Sequence, residues 1–258
     1  MATFLFDKII FGPVSSRRLG ASLGINLLPN DRKICTFNCI YCECGWTDTH
    51  SSSKSFHPRE EVRDSLRWKL EKMKENNEPL DTITFAGNGE PTMHPDFDLV
   101  IQDTIGIRNQ YFPNAKIAVL SNSTLIHKPK IYSALKQIDQ NILKIDSAFE
   151  STVKLLNKPY EGFDFQRTID SLIEFNGKLI IQTMFIRGEY KGQHFDNTTQ
   201  EEINAWLELL EEINPQQVMI YTIARDTPSE NIEKISEKEL KEIAKQVEKK
   251  GFATQISS

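Results

Sequence analysis

Cys35-Thr36-Phe37-Asn38-Cys39-Ile40-Tyr41-Cys42 decides how this chain is read. The cysteines follow one another at the spacing C-x3-C-x2-C. Three thiolates this close on one loop can hold three corners of a cubane iron–sulfur cluster. Full ligation would take a fourth cysteine, and neither ferredoxin spacing is present. The fourth iron is then left open, and an open coordination position points to chemistry rather than to storage of an electron. Cys44 offers another reading, a zinc site made of all four thiolates. Zinc prefers tetrahedral all-cysteine cages built from two separated pairs. Four cysteines within ten residues, the last two one residue apart, make a cramped cage.

All four cysteines lie between positions 35 and 44, which leaves none for a structural disulfide. That predicts a reducing, cytoplasmic location and metal or redox use of the thiols. The start, Met1-Ala2-Thr3-Phe4-Leu5-Phe6-Asp7-Lys8, lacks a basic region followed by a long apolar core, so no signal peptide is expected. No run approaches about eighteen apolar residues, so no transmembrane helix and no membrane partner are expected. The length of 258 residues suits one barrel-like α/β domain, and 39% hydrophobic with 26% charged residues gives an ordinary globular core. The net charge of −5 weighs against a chain whose main task is gripping nucleic acid. A local basic patch can coexist with an acidic whole. Arg17-Arg18, Arg32-Lys33 and Lys128 with Lys130 are candidates, each more commonly a solvated surface pair.

The sequence shows no internal repeat, low-complexity tract or Gly/Ser linker, and Ser51-Ser52-Ser53 is too short to separate domains. Short runs rich in Ile, Val, Leu, Phe or Thr predict buried parallel strands at Leu80 to Phe85, Lys116 to Leu120, Asn141 to Ile145, Lys178 to Phe185 and Gln217 to Thr222. A further strand near Gly24 to Leu28 feeds the cysteine loop. Helices are predicted from about Pro58 to Asn76, Phe97 to Asn109, Pro129 to Gln137, Phe163 to Phe175, Thr199 to Ile213 and Ser236 to Lys249. Pro58 suits a first helical turn, and Ser236 with Glu239 reads as a capping box. Strand–helix alternation implies right-handed βαβ units. Six of them make an open, partial (β/α)6 barrel, with a doubly wound open sheet as the alternative. In either, ligands bind at the carboxyl ends of the strands.

Several motifs follow those strand ends. In Phe85-Ala86-Gly87-Asn88-Gly89-Glu90-Pro91-Thr92, glycines let backbone approach a ligand and Glu90 can accept from an ammonium group. An ordinary Gly-rich turn is the plainer reading. Ser121-Asn122-Ser123-Thr124 can bind a ribose or carboxylate, or simply turn the chain. Lys144 and Asp146 share one face of their strand. Asp146 could bond ribose hydroxyls. Lys144, if buried with a depressed pKa, could act as acid, base or Schiff-base amine. A salt-bridged pair stabilising the barrel interior is equally compatible. Gln182, Met184 and Ile186 alternate with Thr183 and Phe185, and one set should face the pocket. Arg225 could meet an anionic group. The five histidines show no metal-ligand spacing, and only His94 falls near these motifs.

The cysteine spacing, with Tyr41 just before the last thiol, resembles the signature loop of the radical S-adenosylmethionine (SAM) superfamily. Gly89 and Glu90 match that superfamily's Gly-Gly-Glu element, with Asn88 in the place of the first glycine. The resemblance implies a partial barrel of the radical SAM type with a 4Fe-4S cluster on Cys35, Cys39 and Cys42. SAM would chelate the open iron, contacted by Tyr41, Gly89, Glu90, Asn122, Ser123, Asp146 and Arg225. Reductive cleavage would give a 5′-deoxyadenosyl radical, with Lys144 the candidate catalytic side chain. An electron donor such as flavodoxin or ferredoxin is the implied partner.

The stretches Phe11 to Gly20 and Ser22 to Asn26, with Gly89-Glu90-Pro91-Thr92, resemble the wyosine-synthase-like branch, which acts on a modified guanosine in transfer RNA. RNA or a nucleotide is therefore the first substrate expected. Wyosine synthases carry a second cluster on upstream cysteines, and none precedes Cys35 here. A single cluster is expected, and wyosine synthesis itself is not. A glycyl-radical activating enzyme, acting on a peptide glycine, is a second reading. A non-catalytic zinc or iron–sulfur binding module is a third. The expected plan is one domain over 1–258, with a lead-in at 1–34, a core at 35–225 and a closing helix and tail at 226–258.

Overall fold

Alternating side chains on short strands turn one face of the sheet to the helices and the other inward, and polar residues at the carboxyl end of the inner face build the site. The computed structural model describes residues 4–16, 18–47 and 56–258. Arg17, His50 and Ser51 to Ser53 lie outside them.

In chain order the elements are β1 (Ile10–Ser16), β2 (Gly20–Ile25), α1 (Arg59–Glu75), β3 (Thr82–Phe85), α2 (Phe97–Tyr111), β4 (Lys116–Ser121), α3 (Pro129–Leu135) and β5 (Gln140–Lys144). There follow α4 (Glu150–Asn157), α5 (Phe165–Glu174), β6 (Ile180–Met184), β7 (Ile186–Tyr190), β8 (Gln193–Asp196), α6 (Gln200–Ile213), β9 (Gln217–Tyr221), β10 (Ile232–Lys234), α7 (Glu237–Lys249) and β11 (Ala253–Ser257). The large sheet runs β1-β2-β3-β4-β5-β6-β9-β11. The six expected strands are β2 to β6 and β9, parallel and adjacent in that order. They curl into the expected half-barrel.

Four features exceed the expectation. β1 adds an antiparallel edge to β2. β11, expected as tail, adds a parallel edge to β9. α4 stands between β5 and α5. After β6 the chain turns into the hairpin β7–β8, which β10 joins as a separate small sheet. Lys191 and Gly192, both at positive φ (51° and 80°), make its two-residue turn, the geometry that matches strand twist.

On the outer face Ile83, Phe85, Ile117, Val119, Leu143, Ile181, Val218 and Ile220 pack against the apolar stripes of the helices, including Leu66, Leu70, Val100, Trp206 and Leu210. Each such side chain, fully buried, contributes roughly 1.5–3 kcal/mol. The inner face is closed at its amino end by Ala118, Ile142, Ile180 and Met219 around Leu19. One step along, the same face presents Lys144 and Gln182, paired in register. The capping box forms as expected, with Ser236 and Glu239 each accepting from the other's backbone N–H.

Candidate cluster and cofactor site

The cysteine loop sits at the carboxyl end of the sheet, clamped on two sides. On one side Ile34 bridges Gly89: Ile34 N–H donates to Asn88 O at 2.9 Å and Glu90 N–H to Ile34 O at 3.1 Å. On the other, Asn38 N–H donates to Asn157 O at 2.9 Å and Ile40 N–H to Leu156 O at 3.0 Å. Those acceptors are carbonyls of the last turn of α4, which a helix leaves without partners of its own. The helix missed in the sequence is thus what holds the loop.

Two cysteines of the C-x3-C-x2-C run receive a side-chain N–H. Asn122 Nδ2 lies 3.4 Å from Cys35 Sγ, and Asn157 Nδ2 lies 3.4 Å from Cys39 Sγ. The Lys33 charge acts on all three thiols, most strongly on Cys42. Lys33 is 3% exposed, and its Nζ donates to Gly45 O at 3.0 Å. Burial pushes the Cys35 thiol up to about 12 and raises Cys39 as well. Cys42 is drawn down to about 5, first by a hydrogen bond from Cys44 and then, against burial, by Lys33. Cys44, the donor in that bond, is held protonated.

Glu90 is buried beside this loop. Its Oε1 accepts from Thr92 N–H, Thr92 Oγ1 and Ser121 Oγ, and its Oε2 from Asn122 N–H at 2.7 Å. Burial raises its pKa, opposed by those donors. Gly89 has φ +141°, and a Cβ there would stand 1.7 Å from Ile34 O. Gly89→Ala should therefore push the cysteine loop off the sheet, at a cost of roughly 1–3 kcal/mol for the strained backbone alone. Thermal melting and iron retention check this, and a wild-type value for both would contradict it. Asn88 carries its own burden: its side chain bonds Phe6 N–H and O, and Pro29 O. An amide stands where the motif has glycine because it ties the lead-in to the sheet.

Behind the thiols lies a closed network. Asp146 Oδ1 accepts from Lys144 Nζ at 3.0 Å and Met184 N–H at 2.9 Å. Its Oδ2 accepts from Tyr41 OH and from Asn157 Nδ2. Lys144 Nζ donates to Tyr221 OH at 2.6 Å. Burial would lower the Lys144 pKa, but Asp146 and Tyr221 outweigh it and the pKa ends above the ordinary lysine value.

Comparison with known proteins decides the family. The Radical SAM superfamily model matches residues 32–201. The chain belongs to the radical SAM superfamily. Members of that superfamily use SAM and a 4Fe-4S cluster and need a reductant. A protein named GTPase Obg from Brachyspira hyodysenteriae is 31% identical over 249 residues, covering 95% of this chain and 34% of that protein. A UPF0026 protein of Helicobacter pylori (strain J99) is 31% identical over 236 residues, covering 90% of this chain and 71% of that one. The chain thus spans about a third of the first relative's length. In fold, it is similar to a radical SAM methyltransferase from Sphaerobacter thermophilus (TM-score 0.66, 12% identity, 92% of this chain and 65% of that one). It is likewise similar to archaeal TYW1 (TM-score 0.55, 13% identity, 88% and 71%).

The donor set fits a radical SAM cluster. Soft thiol donors stand on one clamped loop with amide N–H groups aimed at Cys35 and Cys39, the kind of outer contact that orients a metal ligand. Among the described residues no three His, Cys, Asp or Glu side chains gather around one point, as a single zinc ion would need. A cubane instead sets each thiolate on its own iron.

The other expected SAM contacts divide. Glu90 keeps one lone pair on Oε2 and faces the cysteine loop. Tyr41 and Asp146 come together but bond each other, and all four lone-pair positions of Asp146 are used. A ribose would have to displace one of those donors. Asn122 spends its amide on Cys35, Thr36 and Thr124. Ser123 is buried and donates to Lys144 O. Arg225 is exposed and pairs with Glu43 Oε2 at 2.7 Å, tying the loop after β9 to the cysteine loop. Of the two readings of Lys144, the structure shows the salt-bridged pair with Asp146 and not a free amine of depressed pKa. His94 is turned to the His57 carbonyl. Asn157 was not singled out from the sequence, and Lys33 reads there only as half of a basic surface pair with Arg32. The one available signal for Lys33 was its place two residues before Cys35, since grouped thiolates call for a nearby positive charge.

Proposed function

We propose that Cys35, Cys39 and Cys42 hold a 4Fe-4S cluster, that SAM binds beside Glu90, and that the substrate is RNA or a nucleotide. The observation that carries this reading is the clamped loop of three thiols, two of them with their own N–H donors, next to a buried carboxylate with a spare lone pair. When bound, the cluster supplies the electron that divides SAM into methionine and a 5′-deoxyadenosyl radical. Glu90 Oε2 accepts an N–H of the SAM ammonium group, and that charge favours the ionised carboxylate against its burial. The Tyr41–Asp146–Asn157 network fixes the loop from behind and excludes water from it. Lys144, on the inner face with Tyr221, serves as a fixed positive charge and hydrogen-bond donor toward an anionic substrate.

The substrate class is supported by an aromatic face next to the loop. Trp46, 40% exposed, lies 6.2 Å from Tyr190, and Lys158 Nζ stands over both rings. Exposed rings flanked by ammonium groups suit stacking of unpaired bases. The test is chromatographic measurement of 5′-deoxyadenosine from SAM under dithionite, alone and with added RNA. The reading expects formation that rises with RNA. No 5′-deoxyadenosine under any condition contradicts it, and stimulation by peptide alone moves the glycyl-radical activating reading to first place.

A further inference from the structure

Lys33 is a buried ammonium that no carboxylate among the described residues pairs with; its Nζ donates to Gly45 O at 3.0 Å, in the turn where Gly45 N–H donates to Cys42 O at 2.8 Å. Burying a lone positive charge is costly, so such a side chain normally faces a compensating negative group. The negative groups that act on Lys33 are sulfur: Cys42 first, then Cys35 and Cys39. The side chains that donate N–H to these sulfurs, Asn122 and Asn157, are neutral amides. The other buried cation near the loop, Lys144, is already matched by Asp146. The charge on Lys33 is therefore the one directed at the thiolates.

We propose that Lys33 is the resident counter-charge of the cluster, a positioning residue that favours its one-electron reduced state. This rests on the reading that Cys35, Cys39 and Cys42 hold a 4Fe-4S cluster. Three thiolates make the cluster anionic, and an added electron makes it more so. A fixed positive charge in a buried setting stabilises the more negative state more strongly, and net charge and hydrogen bonds to sulfur set such potentials. A surface lysine, screened by water, would do little of this.

The test is a redox titration of the reconstituted protein without SAM, followed by electron paramagnetic resonance (EPR), for wild type, Lys33→Met and Lys33→Arg. At a fixed potential, Lys33→Met should lower the ratio of reduced to oxidised cluster tenfold or more, about 59 mV per tenfold for one electron. Lys33→Arg, which keeps the charge, should stay within about threefold of wild type. A Lys33→Met cluster with the wild-type ratio overturns the proposal. A measurement free of substitutions stands beside it, in case Lys33→Met does not fold. Wild-type protein carrying lysine labelled with nitrogen-15 at Nζ should show a lysine nitrogen coupling in the pulsed EPR spectrum of the reduced cluster. Absence of that coupling overturns the proposal too. If wild-type protein forms no cluster at all, the cluster reading itself fails; a normal cluster indifferent to Lys33 sinks this inference alone.

Discussion

Cys39→Ala should leave the protein folded but without its cluster: iron falls to background after anaerobic reconstitution, and SAM cleavage falls with it. Cys39 is the most enclosed of the three thiols, 8% exposed, and Asn157 and the α4 carbonyls fix its place. The loss should exceed the ~10–100-fold that removal of an outer partner of a metal ligand causes. Cys44→Ala supplies the contrast. Cys44 Sγ lies 3.5 Å from Gly87 O, to which it donates, and the cluster reading gives it no iron. Its removal takes away the strongest influence lowering the Cys42 pKa, yet iron content should stay at the wild-type level. Equal iron loss in both variants would return the four-thiolate zinc reading to consideration.

The second large effect is on stability. Asp146→Ala should destabilise the apo protein by roughly 3–5 kcal/mol, because it leaves Lys144 buried and unpaired. For a chain of this size that is a fall in melting temperature on the order of 10 °C. The variant also frees Tyr41 OH, Asn157 Nδ2 and Met184 N–H together. Lys144→Met should recover some of the loss when combined with Asp146→Ala, since the stranded charge is then gone. The Lys144 pKa is raised, so its contribution is full below the ordinary lysine value and is lost only as pH climbs beyond it. Melting curves near neutral pH should accordingly show no dependence on this pair. A melting temperature for Asp146→Ala within a degree or two of wild type would show the network to be dispensable.

Much of the fold was legible because its cause is local. Ile83, Ile117, Val119, Ile181 and Val218 sit in short runs between turn residues, and buried parallel strands need little else. The Ser236 capping box was legible for the same reason. β11 was not: Ala253-Thr254-Gln255-Ile256-Ser257 has one large apolar residue, and only pairing with β9 makes it a strand. α4 was passed over between two strong motifs, although its carbonyls organise the site. The cysteines of the candidate cluster announced themselves by spacing, whereas their donors did not. Asn157 is 118 residues from Cys39, and Tyr41 is 105 from Asp146. Lys33 read as half of a surface pair with Arg32, but Arg32 turns to Asp31 while Lys33 turns inward. Residue types within a loop carry no period from which such a turn could be seen.

If three thiols leave one iron open for SAM beside Glu90, EPR of the dithionite-reduced, reconstituted protein, recorded before and after adding SAM, should reveal it. The expected result is a reduced 4Fe-4S signal that changes shape when SAM is added and keeps its original shape in Glu90→Ala. A cluster signal blind to SAM in the wild-type protein would contradict the open iron.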